Sequence, residues 1–129
     1  MTIELGEGGR LLKPGFHDGH LLGVELIGDH EAIVKLRKLS GGRYSLNLSG
    51  VERLLCNGFA EGNIVSEVYL VSGALPPVPS LCVLMPQPHA SAKAHLVEQG
   101  ELTFVAIEAS YGCDLYALCR SAEITPHRT

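Results

Sequence analysis

Residues 22–48 read LGVELIGDHEAIVKLRKLSGGRYSLNL, and the fold class turns on this stretch. Leu22, Val24 and Leu26 alternate with Gly23 and Glu25, the period of two that marks a strand with one buried face. Gly28 to Glu31 interrupts the run as a hairpin connection, after which Ala32, Val34 and Leu36 present a second apolar face between Lys35 and Arg37. Ser40-Gly41-Gly42 supplies the positive-φ positions of another tight turn. Tyr44, Leu46 and Leu48 then alternate with Arg43, Ser45, Asn47 and Ser49. Three such segments in succession predict an antiparallel meander.

Downstream, Gly50 breaks the alternation and leaves residues 51–55 open to two readings, a helical turn or an edge strand. Residues 64–71 (IVSEVYLV) are apolar on both faces apart from Ser66 and Glu67, which predicts a central strand covered on both sides. Pro76, Pro77, Pro79, Pro86 and Pro88 punctuate residues 73–88 and exclude a regular central strand there, so this is a crossing segment. Its apolar residues Leu81, Val83, Leu84 and Met85 suit either the core or an interface. Residues 90–99 carry helix formers, with Ser91 as the expected N-cap and Gly100 as terminator. Residues 102–109 and 113–121 flank Ser110-Tyr111-Gly112 as a closing hairpin, and the tail from Pro126 is expected to be loose.

The expected fold is therefore mainly β, or a β-rich α+β variant. An antiparallel meander and a closing hairpin form a sandwich or open barrel with one short helix. At 129 residues the chain makes one domain, 1–129, able to bury an ordinary aliphatic core.

Ten Lys and Arg against 14 Asp and Glu leave a net charge of −4, and the densest basic stretch, Lys35, Arg37 and Lys38, reads as the solvent side of a strand. Nucleic acid is not an expected partner, because displacing phosphate counterions needs several cations on one face. Neither is a membrane, since no apolar run reaches 18 residues. The first ten residues include Glu4 and Glu7 in place of a basic and then apolar leader, which gives a cytoplasmic expectation. Cys56, Cys82, Cys113 and Cys119 contain no CxxC pair and are read as buried thiols.

His17-Asp18-Gly19-His20 is the one cluster of chemistry-bearing residue types. His and Asp can hold a metal or move protons, but a divalent metal site needs at least three converging ligands. In a structural role, Asp18 would accept hydrogen bonds from turn N–H groups ahead of the first meander strand. No nucleophile elbow or phosphate loop occurs, which points away from an enzyme, and no cofactor is expected.

Four short motifs carry a resemblance: Phe16-His17-Asp18-Gly19, Leu48-Ser49-Gly50-Val51, Gly62-Asn63-Ile64-Val65 and Ser110-Tyr111-Gly112. Together the chain resembles small bacterial β-rich proteins of unknown function, and is similar to the immunity protein 50 type. That resemblance implies a non-catalytic inhibitor that binds a protein partner such as a toxin, and it carries over no catalytic residue. An acidic chain suits a basic partner, with charge mainly setting association rate and selectivity. The alternative is a small-ligand-binding protein or a metal-dependent enzyme using His17, Asp18 and His20. Self-association through the segment from Pro76 to Pro88 is a third possibility.

Overall fold

The computed structural model describes residues 2–127. Ten strands run in chain order: β1 (Glu4–Leu5), β2 (Leu11–Lys13), β3 (His20–Ile27), β4 (Glu31–Arg37), β5 (Arg43–Ser49), β6 (Arg53–Asn57), β7 (Ile64–Val71), β8 (Thr103–Tyr111), β9 (Asp114–Cys119) and β10 (Ser121–Pro126). Helices α1 (Val78–Leu81) and α2 (His89–Glu98) lie between β7 and β8. The fold is thus mainly β and antiparallel, as the alternation predicts.

Strands β1 and β2 form a small hairpin, and the other eight form one sheet in the order β10-β5-β4-β3-β7-β8-β9-β6. That sheet divides at its middle. β3 pairs with β7 at a single position, His20 opposite Ile64, whereas β3 and β4 pair along most of their length. The sheet is not closed into a barrel. Its two halves bury their apolar faces in a common core, with Val34, Leu36, Leu46 and Leu48 from one half and Val68, Val105, Ile107 and Leu115 from the other. A second core lies on the opposite face of β7, β8 and β9, where Phe104 and Leu118 meet Leu81, Met85, Ala90, Ala94 and Val97 of the helical segment. β8 and β9 are therefore the strands covered most completely on both faces. Their apolar residues alternate between the two cores: Val105 and Ile107 face inward, Phe104 and Ala106 toward the helices.

Several expectations are corrected. The Leu22, Val24, Leu26 face forms only in part: a bulge between Leu21 and Gly23 takes Leu22 off it, while Val24 and Leu26 stand opposite Val34 and Ala32 of β4. Leu21 is buried in place of Leu22, Val24 only borders the core, and Leu26 is 71% exposed. Of the two readings left open for residues 51–55, the edge strand holds, with bounds shifted to β6 (Arg53–Asn57), paired with β9. The tail expected to be loose from Pro126 begins paired: β10 pairs with β5 as far as Pro126, and the His127 N–H donates to the Arg43 carbonyl, while residues 128–129 lie outside the described residues. Ser91 lies inside α2, where its N–H and hydroxyl donate to Gln87 Oε1 at 3.1 and 2.7 Å. Gly100, at φ +81°, does end α2: its N–H donates to the Val97 carbonyl and that of Glu101 to Leu96, the paired bonds of a Schellman motif.

The four cysteines are not four buried thiols. Cys56 and Cys113 are joined as a disulfide with Cα atoms 6.1 Å apart, and Cys82 is exposed. Only Cys119 matches the expectation, and burial pushes its thiol up to about 12.

Candidate functional site

The 17–20 turn sits where the two halves of the sheet meet. The Asp18 N–H donates to the Val65 carbonyl at 2.9 Å, the Val65 N–H to Gly19 at 2.9 Å, and the Leu21 N–H to Asn63 at 3.0 Å. These bonds extend the single β3–β7 pair into a seam. Gly19 is required there, because a Cβ would collide with the Arg37 carbonyl. Asp18 is the one described non-glycine residue at positive φ, +61°.

The cluster's side chains diverge. The His17 ring turns to β7, with Nδ1 2.9 Å from the Ser66 carbonyl and 3.9 Å from Glu67 Oε1, while its Nε2 lies 3.7 Å from Asp18. The Ser66 carbonyl, followed by the Asp18 charge, raises the His17 pKa above its ordinary 6.5. His20 turns to β4, where its Nδ1 accepts from Arg37 Nη2 at 3.3 Å. Among the described residues, no three His, Cys, Asp or Glu side chains gather to hold a metal. The expected Asp18 side-chain cap does not form either: the contribution of Asp18 to the turn is its backbone N–H and its left-handed backbone. Beside the turn, buried Asn63 ties the seam to the closing hairpin. Its Oδ1 accepts from Ala60 and Cys113 N–H groups at 2.8 and 3.0 Å, and its Nδ2 donates to the Ala60 carbonyl at 2.7 Å.

A cavity of about 520 Å³ lies elsewhere, on the helix-bearing face of the sheet. Its floor is Tyr69 and Val71 of β7 with Phe104, Ala106 and Glu108 of β8. One wall is the N-terminal arm around Leu5 and Gly9, and the other is the segment carrying Leu75, Pro77 and Ser80. Strand pairing gathers the floor, since Tyr69 and Tyr116 both stand opposite Ala106, and Glu67 opposite Glu108. Burial first, and then the Glu108 and Glu67 charges, raise the Tyr69 pKa, so its phenol keeps its proton at neutral pH and can both donate and accept. The arm is held down by an Arg10–Tyr69 bridge and by Gly9, whose φ of +81° and missing Cβ let it lie against the Leu70 carbonyl.

Tyr69 and Glu108 were not singled out from the sequence. They lie 39 positions apart and become neighbours only through the β7–β8 register. Comparisons with family models, with curated proteins and with solved structures found no match to this chain.

Proposed function

We propose that the chain is a non-catalytic binding protein that takes a small, mostly apolar ligand in the cavity beneath the N-terminal arm. The supporting observation is the cavity's build. Its volume of about 520 Å³ falls in the usual range of about 300–1,000 Å³ for small-molecule sites. Its floor and walls are largely apolar, with a phenol and a carboxylate as directional groups.

Saturable uptake of the neutral dye Nile red tests this reading. Ala74→Trp and Ser80→Trp, which would fill the cavity from its wall, should abolish uptake while leaving the melting temperature near that of wild type. Absence of saturable uptake in wild type, or equal uptake by folded variants, would overturn it.

A protein partner, the inhibitor role implied by the resemblance, is favoured by a different observation. Among the described residues the outer edge of β3 beyond His20 has no strand partner, and Leu26 and Ile27 on it are 71% and 43% exposed. Such an edge can take an added strand from another chain. Leu26→Lys would then weaken capture of that partner without changing dye uptake. The Cys56–Cys113 pair weighs toward an oxidising compartment over the cytoplasmic setting expected from the sequence, because reducing pools keep such pairs open.

A further inference from the structure

The cavity is polar at one end only. Phe104, Ala106 and Glu108 point to the same face of β8 at every second residue, so about 14 Å of floor separates Phe104 from Glu108 at a rise of about 3.4 Å per residue. The Phe104 end is closed by the second core, where the ring stacks on Tyr116 at 6.4 Å between centroids. At the other end the Glu108 carboxylate is exposed, with Glu67 facing it across the strand pair. Among the described residues Glu108 makes no ion pair. Two cationic groups lie nearby: Arg10, whose charge acts on Tyr69 more weakly than those of Glu108 and Glu67, and protonated His17, whose Nδ1 is 3.9 Å from Glu67 Oε1, so that Glu108 is the acid left unpaired among the described residues. The field at the open end is therefore negative, and it lies beside a protonated phenol.

We propose that this cavity selects an elongated apolar molecule with a cationic amine head: the hydrocarbon lies along Ala106 toward Phe104, and the ammonium donates to the Glu108 carboxylate at the mouth. The inference rests on the cavity-binding reading above and adds the chemical class of the ligand. An ammonium has donors for a carboxylate and none of the lone pairs that would be repelled by it, so a charge-assisted bond forms there. A carboxylate head would face two like charges, and a hydroxyl head would gain only a neutral hydrogen bond.

Competition against bound Nile red with decylamine, decanol and decanoate at neutral pH, each below its aggregation concentration, tests the assignment. Decylamine should displace the dye at about two- to fivefold lower concentration than decanol, the modest factor expected of a pair at a solvent-exposed mouth. Decanoate should be the weakest. In Glu108→Gln the amine and the alcohol should converge, with decanol affinity kept. Equal potency of amine and alcohol in wild type, stronger displacement by decanoate, or an amine preference that survives Glu108→Gln would each overturn the ligand class while leaving the cavity reading standing. Failure of wild type to bind dye at all would remove both.

Discussion

Gly9 lies so close to Leu70 that a Cβ built on it would stand 2.5 Å from the Leu70 carbonyl oxygen. This contact seats the N-terminal arm on β7. Gly9→Ala meets both that contact and a φ of +81°, a region costing a residue with a side chain roughly 1–2 kcal/mol. The expected result is a loss of stability of at least that size together with weaker dye uptake, read by chemical denaturation and by fluorescence. Gly8→Ala, also at positive φ but with open space around it, should cost stability without displacing the arm.

Asn63 holds the seam. It is 4% exposed, and its amide satisfies groups on Ala60, Cys113 and Leu21. Asn63→Ala would strand several buried polar groups, each costing about 1–3 kcal/mol, so a loss of roughly 2–4 kcal/mol is expected. Lys35→Ala, on the exposed face of β4, should change stability by no more than about 0.5 kcal/mol. Urea denaturation of the two variants side by side checks both values.

His17 should titrate above 6.5, because the Ser66 carbonyl and the Asp18 charge favour its protonated form. For a group whose folded pKa is raised, the stabilisation is fully present below the unfolded value and disappears as pH rises through the folded one. Any contribution of His17 should accordingly be present below about pH 6.5 and fade above it. Titration of the ring signals by NMR gives the midpoint, and Asp18→Asn should move it down. A midpoint at or below 6.5 in wild type would contradict the described geometry.

The cysteines should be distinguishable by thiol counting. In the native protein an aromatic disulfide reagent should react readily with Cys82 alone, since Cys119 is buried with its thiol pushed up to about 12. Denaturation without reductant should expose a second thiol, and reduction should bring the total to four.

The sequence discloses strands best where one face meets a core and the other meets water. β4 is the clearest case: Ala32, Val34 and Leu36 are all buried, as their alternation with charged residues predicts. Residues 64–71 predict β7 to the residue, because a run apolar on both faces apart from Ser66 and Glu67 has few other uses at that length. The reading fails at Leu22 because a bulge between Leu21 and Gly23 adds one residue to β3, which puts Leu21 in place of Leu22 on the face that Val24 and Leu26 share. β10 went unseen because Ser121–Pro126 has little apolar patterning of its own and is a strand by virtue of pairing with β5. The Cys56–Cys113 pair and the Tyr69–Glu108 floor share a cause. Each joins residues tens of positions apart, and no local spacing marks such a meeting. The 17–20 turn drew attention by its residue types, yet His17 and His20 face different strands, β7 and β4.

The Cys56–Cys113 bond also sets how this molecule would come apart. The covalent ring that it closes spans 57 positions and contains β7, both helices and β8, hence every part of the cavity except the N-terminal arm. A protease that cuts the exposed chain at Leu75 or Val83 would sever the backbone inside this ring. The two pieces would stay tethered, migrating as one species until a reductant frees them, so damage to the cavity wall would be invisible on a non-reducing gel.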